Sequence, residues 1–108
     1  MPDFRQFVAA LKDEIGALAL RSWKDAKDAA ARDGEAFVAK VQQDLNRWTE
    51  LLAQRKLTQD DFAWLVKGKQ DLAELAALKE AGLARARLDK FRSSLVDLVI
   101  GTAIKVFL

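Results

Sequence analysis

The placement of proline constrains this sequence most strongly, because proline interrupts helices and central strands more effectively than any other residue. The only proline is Pro2, and the remaining 107 positions hold five glycines as their only other strong helix breakers. Alanine, leucine and charged or amide residues with long side chains dominate the chain, and these residues lose little entropy in a helix. The sequence therefore predicts an all-α fold, organised as a single helical domain over residues 1–108.

Apolar periodicity and end signals predict an antiparallel helical hairpin in the first half of the chain. Asp3 is a candidate N-cap, and apolar residues follow it at steps of three and four, so the first helix is predicted over residues 3–32. Gly34 is expected to end this helix because glycine readily adopts the left-handed conformation of a C′ residue. A second apolar stripe predicts the next helix over residues 35–55.

The stretch KLTQDDF contains the strongest local signal in the sequence. Thr58 is a candidate N-cap, with Asp61 three positions later as the acidic partner of a capping box. The third helix is predicted to follow over residues 59–107. Gly82 is its candidate break, and the alternatives are one long helix, which the lack of flanking capping residues favours, or two helices hinged near Gly82.

The C-terminal part of the third helix is predicted to be apolar on more than one side. Ten of the fourteen residues after Ser94 are apolar, and a second apolar side also occurs near Trp64. A helix that is apolar on two sides has to be covered on two sides. One alternative is a single wide intramolecular core. The favoured alternative is an oligomer interface formed by Trp64, Leu75, Leu78, Leu95, Leu98, Val99, Ile100, Ile104 and Phe107.

The basic excess of the chain is small, with a net charge of +2. It is concentrated in RARLDKFR, where Arg85, Arg87, Lys90 and Arg92 form a candidate basic patch. Basic residues interleaved with aromatic ones are typical of nucleic-acid-binding surfaces. These cations point in different directions around a helix, which argues against nucleic acid as a partner.

Three cations with long side chains, Arg55, Lys69 and Arg87, are predicted to project near the middle of apolar stripes. Their aliphatic stems can pack against the core while the charged ends reach water. Alternatively, they can form buried ion pairs that fix the register of an oligomer. Asp44, beside the apolar stripe of the second helix, is the candidate partner.

The chain contains no histidine, cysteine or tyrosine. These residues supply most general bases, nucleophiles and soft metal ligands in proteins. The three serines do not lie in a G-x-S-x-G setting. The sequence therefore predicts a protein that is not an enzyme, with no catalytic, cofactor-binding or metal-binding residues and no cofactor.

These patterns favour a non-catalytic structural or interaction protein, a small helical homo-oligomer or adaptor that assembles through its apolar C-terminal helix. The expected partner is a second copy of the chain, as a homodimer or higher oligomer, or another helical protein. One alternative is peripheral association with a membrane surface, because cations precede the apolar end. A second alternative is weak nucleic-acid binding. The charged N-terminus does not resemble a signal peptide, so the cytoplasm is the expected location.

Overall fold

Helices account for all regular secondary structure in the described part of the chain. The computed structural model describes residues 3–108, and these residues form no β-strand. Two single-turn 3₁₀ segments, Lys24–Ala26 and Gln70–Leu72, accompany the α-helices. The α-helices are α1 (Phe4–Ser22), α2 (Lys27–Ala53), α3 (Gln59–Lys67), α4 (Ala76–Glu80) and α5 (Arg85–Phe107). The predicted all-α class is confirmed.

The three long helices, α1, α2 and α5, form the frame of the fold. Helix α1 runs antiparallel to α5. Phe7 near the start of α1 packs on Phe107 at the end of α5, with ring centroids 5.6 Å apart. At the other end of the pair, Trp23 packs on Phe91 at 5.3 Å. The largest fully buried side chains fill the space between the helices: Phe7, Leu11, Ile15, Phe37, Val41, Leu45, Leu52, Phe62, Val66, Leu78, Phe91 and Leu95.

The boundary between the first two helices differs from the prediction. Helix α1 ends at Ser22, and α2 continues through Gly34, where a helix end was predicted. Gly34 serves close packing instead, since a Cβ at this position would lie 2.7 Å from Cγ2 of Ile15 on α1. The chain turns at Trp23, whose φ of −133° and ψ of 41° leave the helical region. The sequence alone therefore does not distinguish a glycine that allows two helices to pack closely from a glycine that ends a helix.

Both predicted N-caps are present. The Asp3 carboxylate accepts a hydrogen bond from the Gln6 N–H at 2.8 Å, and the Gln6 side chain accepts one from the Asp3 N–H at 3.1 Å, which completes a capping box. At the start of α3, the Thr58 hydroxyl accepts the N–H of Asp61 at 3.0 Å. Both N-caps are therefore confirmed, whereas at Thr58 only the bond from the Asp61 N–H to the hydroxyl is present and the reciprocal bond of the predicted capping box is not.

The prediction of a single long third helix is wrong, and the alternative, a break near Gly82, is present. Gly82 has a φ of +85°, which glycine adopts without strain. A further break, which was not predicted, occurs before α4, where Leu75 adopts a left-handed conformation with a φ of 57°. Residues 59–84, here called the broken segment, thus contain α3 and α4 and occupy the position of a fourth bundle helix.

Polar contacts fix the broken segment along α2. In order along the segment, these contacts are Lys69–Asp44, Glu74–Lys40 and Ala77/Leu78–Asp33. Residue numbers rise along the segment while those of α2 fall, so the two run antiparallel. The buried Asp33 carboxylate accepts the backbone N–H groups of Ala77 at 3.0 Å and Leu78 at 2.7 Å. Asp33 therefore caps α4 from another helix, where no local side chain does so.

The segment is also held from the opposite side by α5. The guanidinium of Arg92 donates two hydrogen bonds to the carbonyl of Ala73, from Nε at 3.2 Å and from Nη2 at 3.0 Å. Ala73 itself is buried. Backbone groups at the break between α3 and α4 thus form hydrogen bonds with a side chain of each neighbouring long helix, Asp33 on α2 and Arg92 on α5. Buried backbone groups require such partners.

Candidate functional site

The residues of the predicted oligomer interface lie in three different environments. Leu75, Leu78, Leu95 and Val99 are at most 2% exposed and are enclosed by the chain itself. The half-buried members of the set are Leu98, Ile100, Ile104 and Phe107. Trp64 is 74% exposed. The four enclosed residues belong to the intramolecular core, which was the alternative interpretation, and they do not fit a contact with a second molecule.

The C-terminal helix α5 keeps a polar outer face. Its exposed positions after the first turn are Asp89, Lys90, Ser93, Asp97, Gly101 and Lys105. The apolar side chains point inward because the neighbouring helices cover the other sides of α5. A narrow strip of partly exposed side chains remains near the end: Ile100, Ile104, Phe107 and Leu108, the last of these 43% exposed. The apolar surface left for a partner is smaller here than the sequence predicts.

The most exposed large apolar side chain among residues 3–108 lies on α3. Trp64 points away from the core, while Phe62 and Val66 of the same helix are buried. Trp64 borders a cleft of about 530 Å³, whose wall also includes Trp48 of α2 and Leu65. An aromatic side chain that stays in water beside an apolar cleft is an arrangement typical of interaction surfaces.

Charges of opposite sign flank Trp64 along the exposed side of α3. Asp60 and Asp61 occupy the first turn and Lys67 the last turn, an order that the helix dipole favours. All three side chains are exposed. Asp60, Asp61, Trp64 and Lys67 are called the α3 face below. Its acidic end, aromatic centre and basic end form one line on a rigid helix.

The candidate basic patch is not a single surface. Arg87 forms a bidentate pair with Asp25, with Nη1 and Nη2 at 2.8 and 3.0 Å from the carboxylate oxygens. Arg92 is bonded to the broken segment. Arg85 and Lys90 are the two members that remain exposed. Half of the predicted patch is therefore used within the fold, which removes much of the support for nucleic-acid binding.

Asp44, the predicted partner for a cation near an apolar stripe, forms an ion pair with Lys69. Asp44 pairs with Lys69 at 3.1 Å, and the two side chains are 27% and 38% exposed. The pair is therefore intermediate between the two alternatives, a buried ion pair and a cation whose charged end reaches water, because both charged groups are partly exposed. Arg55, by contrast, is exposed in the turn after α2, where it has a φ of 60°.

Two ion pairs alter carboxyl pKa values. The hydrogen bond from Arg87, followed by the charge of the guanidinium, lowers the pKa of Asp25. The hydrogen bond and the charge of Lys40 lower the pKa of Glu74 in the same way. Both carboxylates are exposed, so these shifts describe surface pairs that link elements of the fold.

Sequence reasoning missed a polar cavity at the junction of α1 and α5. It is lined by Ser22, Trp23, Arg87, Lys90 and Ser94. The signal that could have found it is the spacing of Arg87, Lys90 and Ser94, which places three hydrogen-bond donors on one face of a helix. Ser22 and Trp23 carry no such signal, because only the turn after α1 brings them to that face.

Comparisons of the chain with protein-family models, with curated proteins and with solved structures find no match. Within residues 3–108, acidic side chains do not gather into a group of three that could hold a metal ion. No helix of this region combines the length and the hydrophobicity that a bilayer-spanning segment requires.

Proposed function

We propose that this chain is a non-catalytic interaction protein that associates with a second copy of itself through the α3 face. The observation that carries the proposal is the 74% exposure of Trp64. Tryptophan is enriched at interaction hot spots because it buries a large apolar area with few rotatable bonds. Burial of Trp64 against a partner would remove most of that area from water.

The order of charges on the α3 face favours a second copy as the partner. A two-fold axis produces an interface in which the same patch meets itself. When two α3 helices pack antiparallel around Trp64, the acidic pair Asp60 and Asp61 of one copy lies opposite Lys67 of the other. Gly68, which follows Lys67 and has no side chain, permits close approach of the two backbones. The face is therefore complementary to itself in charge and apolar at its centre.

The proposed dimer is weak and depends on concentration. Stable interfaces bury roughly 1,200–2,000 Å² in total, and a nine-residue helix centred on one tryptophan provides less than this. The α5 strip of Ile100, Ile104 and Phe107 offers a second, smaller apolar surface. Assembly beyond a dimer, which the apolar C-terminal sequence predicts, would use that strip.

The proposal is tested by the mass in solution as a function of concentration, measured by size-exclusion chromatography with light scattering. The expected mass at high concentration is at least twice 12.1 kDa. Trp64→Ser should return the protein to a monomer, whereas Leu20→Ser should leave association unchanged. Leu20 is a matched control because it is also an exposed apolar residue, 57% accessible, on a different helix. A wild-type chain that remains monomeric at every concentration contradicts the proposal.

A charge exchange tests the antiparallel arrangement. Asp61→Lys alone and Lys67→Asp alone should each weaken association, because like charges then face each other across the two-fold axis. The double variant Asp61→Lys/Lys67→Asp restores opposite charges and should recover much of the association. If Trp64→Ser dissociates the protein but the double variant does not recover association, Trp64 lies in the interface and the antiparallel arrangement is wrong.

A second candidate function is peripheral association with a membrane surface. Trp64 and Lys67 support it, since tryptophan and lysine are suited to the membrane–water interface. In this case the protein should sediment with anionic vesicles at low salt, and Trp64→Ser should abolish the effect in a monomeric protein. The cytoplasm remains the proposed location in either case.

A further inference from the structure

A polar cavity of about 180 Å³ lies between the end of α1 and the first turns of α5. Its wall consists of Ser22, Trp23, Arg87, Lys90 and Ser94. Each of these five side chains carries an N–H or O–H donor, and none is a carboxylate. A pocket walled by donors is suited to a ligand that offers only acceptors.

One donor in this wall is buried and has no acceptor. Trp23 is 3% exposed, and its indole Nε1 is a buried nitrogen without a hydrogen-bond partner. Buried N–H groups in folded proteins are nearly always satisfied. The side chain is also fixed in place, because its ring packs edge-on against Phe91 at 5.3 Å. Trp23 is therefore a fixed part of the cavity wall.

The cations of the wall differ in how they are balanced. Arg87 gives two of its five N–H donors to Asp25 and lies over the Trp23 ring, 5.0 Å from the centroid. Asp25 offsets the charge of Arg87 and orients its guanidinium, which leaves three donors free. Lys90 forms no ion pair within residues 3–108. The cavity wall therefore carries one uncompensated positive charge.

We propose that this cavity binds a small tetrahedral oxyanion of the phosphate class. Lys90 supplies the balancing charge, Arg87 supplies oriented donors, and the hydroxyls of Ser22 and Ser94 complete the ring of hydrogen bonds. The ring of Trp23 forms a rigid part of the wall. The site is separate from the α3 face, so it adds a ligand to the interaction protein proposed above and does not depend on self-association.

The test is a titration of the ¹⁵N-labelled full chain with inorganic phosphate, followed through the tryptophan indole N–H resonances. Sodium chloride at equal ionic strength is the reference. The Trp23 resonance should shift saturably with phosphate, and those of Trp48 and Trp64 should not. Because the Trp23 side chain lines the cavity whereas Trp48 and Trp64 lie elsewhere, a shift confined to Trp23 reports occupation of the cavity and not general adsorption of anions. An unchanged Trp23 resonance overturns the proposal.

Variants assign the binding to the cavity. Lys90→Ala should weaken phosphate binding about tenfold, the effect expected when one charge-assisted hydrogen bond is lost. Ser94→Ala should weaken it by a smaller factor. Lys105→Ala is the matched control, since Lys105 is exposed on the same helix and lies far from the cavity. Equal affinity of the Lys90→Ala variant and the wild type also overturns the proposal.

A last comparison distinguishes two sources of the same phosphate chemistry. One sample contains inorganic phosphate, and the other contains vesicles of phosphatidylcholine with phosphatidic acid, whose headgroup is a phosphate monoester. Binding of inorganic phosphate alone identifies a free oxyanion as the ligand. Binding to the vesicles that Lys90→Ala weakens identifies a lipid headgroup. Absence of both effects contradicts the site.

Discussion

The long helices α1, α2 and α5 and the broken segment of residues 59–84 are built in different ways. The long helices meet along apolar stripes, and their contacts are large buried side chains such as Phe7, Ile15 and Leu45. The helices of the broken segment add only Phe62, Val66 and Leu78 to this core, and charge-assisted hydrogen bonds from α2 and α5 also hold the segment. Apolar packing thus forms the frame of the fold, and fewer apolar contacts together with polar contacts at defined positions attach the remaining part to it.

The largest expected effect comes from the frame. Phe91→Ala should lower the free energy of unfolding by about 3–5 kcal/mol, because Phe91 is fully buried and a cavity would remain next to Trp23. The measurement is urea denaturation followed by circular dichroism, and the whole bundle should unfold in one transition. Ser93→Ala, on the exposed side of α5, is the control and should change stability by less than about 0.5 kcal/mol.

A smaller and more local effect is expected from the broken segment. Asp33→Ala removes the acceptor of two backbone N–H groups, at a cost of about 2–4 kcal/mol concentrated in α4. In native-state hydrogen exchange, the amides of Ala77 and Leu78 should lose protection, while those in the middle of α1 keep theirs. Glu35→Ala is the control, since Glu35 is exposed two positions further along α2. Uniform loss of protection would mean that the segment and the frame are one cooperative unit.

The smallest expected effect is a dependence on acid. The pKa of Glu74 is lower in the folded chain than its usual value of 4.5, because Lys40 binds its ionised form. The stabilisation is therefore fully present above pH 4.5 and is lost as the pH falls through the lowered folded pKa. The protection factors of the α4 amides, which are corrected for the slower intrinsic exchange in acid, should fall over this range in the wild type.

The variant Lys40→Met separates the contribution of the Lys40–Glu74 pair to the acid dependence from that of other carboxylates. It should remove the component of the acid dependence that belongs to Glu74, and Lys12→Met on the exposed side of α1 should not. High salt should reduce the wild-type effect, because the pair is exposed to solvent. An acid dependence that is identical in the Lys40→Met variant would show that other groups cause it.

Local signals and distant contacts were not equally accessible to sequence reasoning. The caps at Asp3 and Thr58 were predicted because each bonds a residue three positions away. Asp33 and Gly34 were assigned to a helix end, although one caps α4 and the other admits Ile15. Their partners lie far away in the chain, and no periodicity records such pairings.

The candidate interaction surface shows the same division. Trp64 was predicted at an interface together with Leu75 and Leu78, because all three lie on one side of an ideal uninterrupted helix. Helix α3 ends at Lys67, and the irregular stretch before α4, which includes the left-handed Leu75, directs Leu75 and Leu78 into the core and leaves Trp64 outside. The irregular backbone between α3 and α4 therefore separated one exposed residue from two buried ones.

The sequence alone determined that the chain is helical, because it contains almost no helix breakers and its apolar residues recur with helical spacing. It also determined two helix starts through short-range caps. Only the tertiary structure decided where the helices break, which apolar side chains remain in water and which donors gather around the cavity beside Trp23. The physical reason is that helix propensity and capping act over a few residues, whereas burial and long-range hydrogen bonds depend on which helices meet.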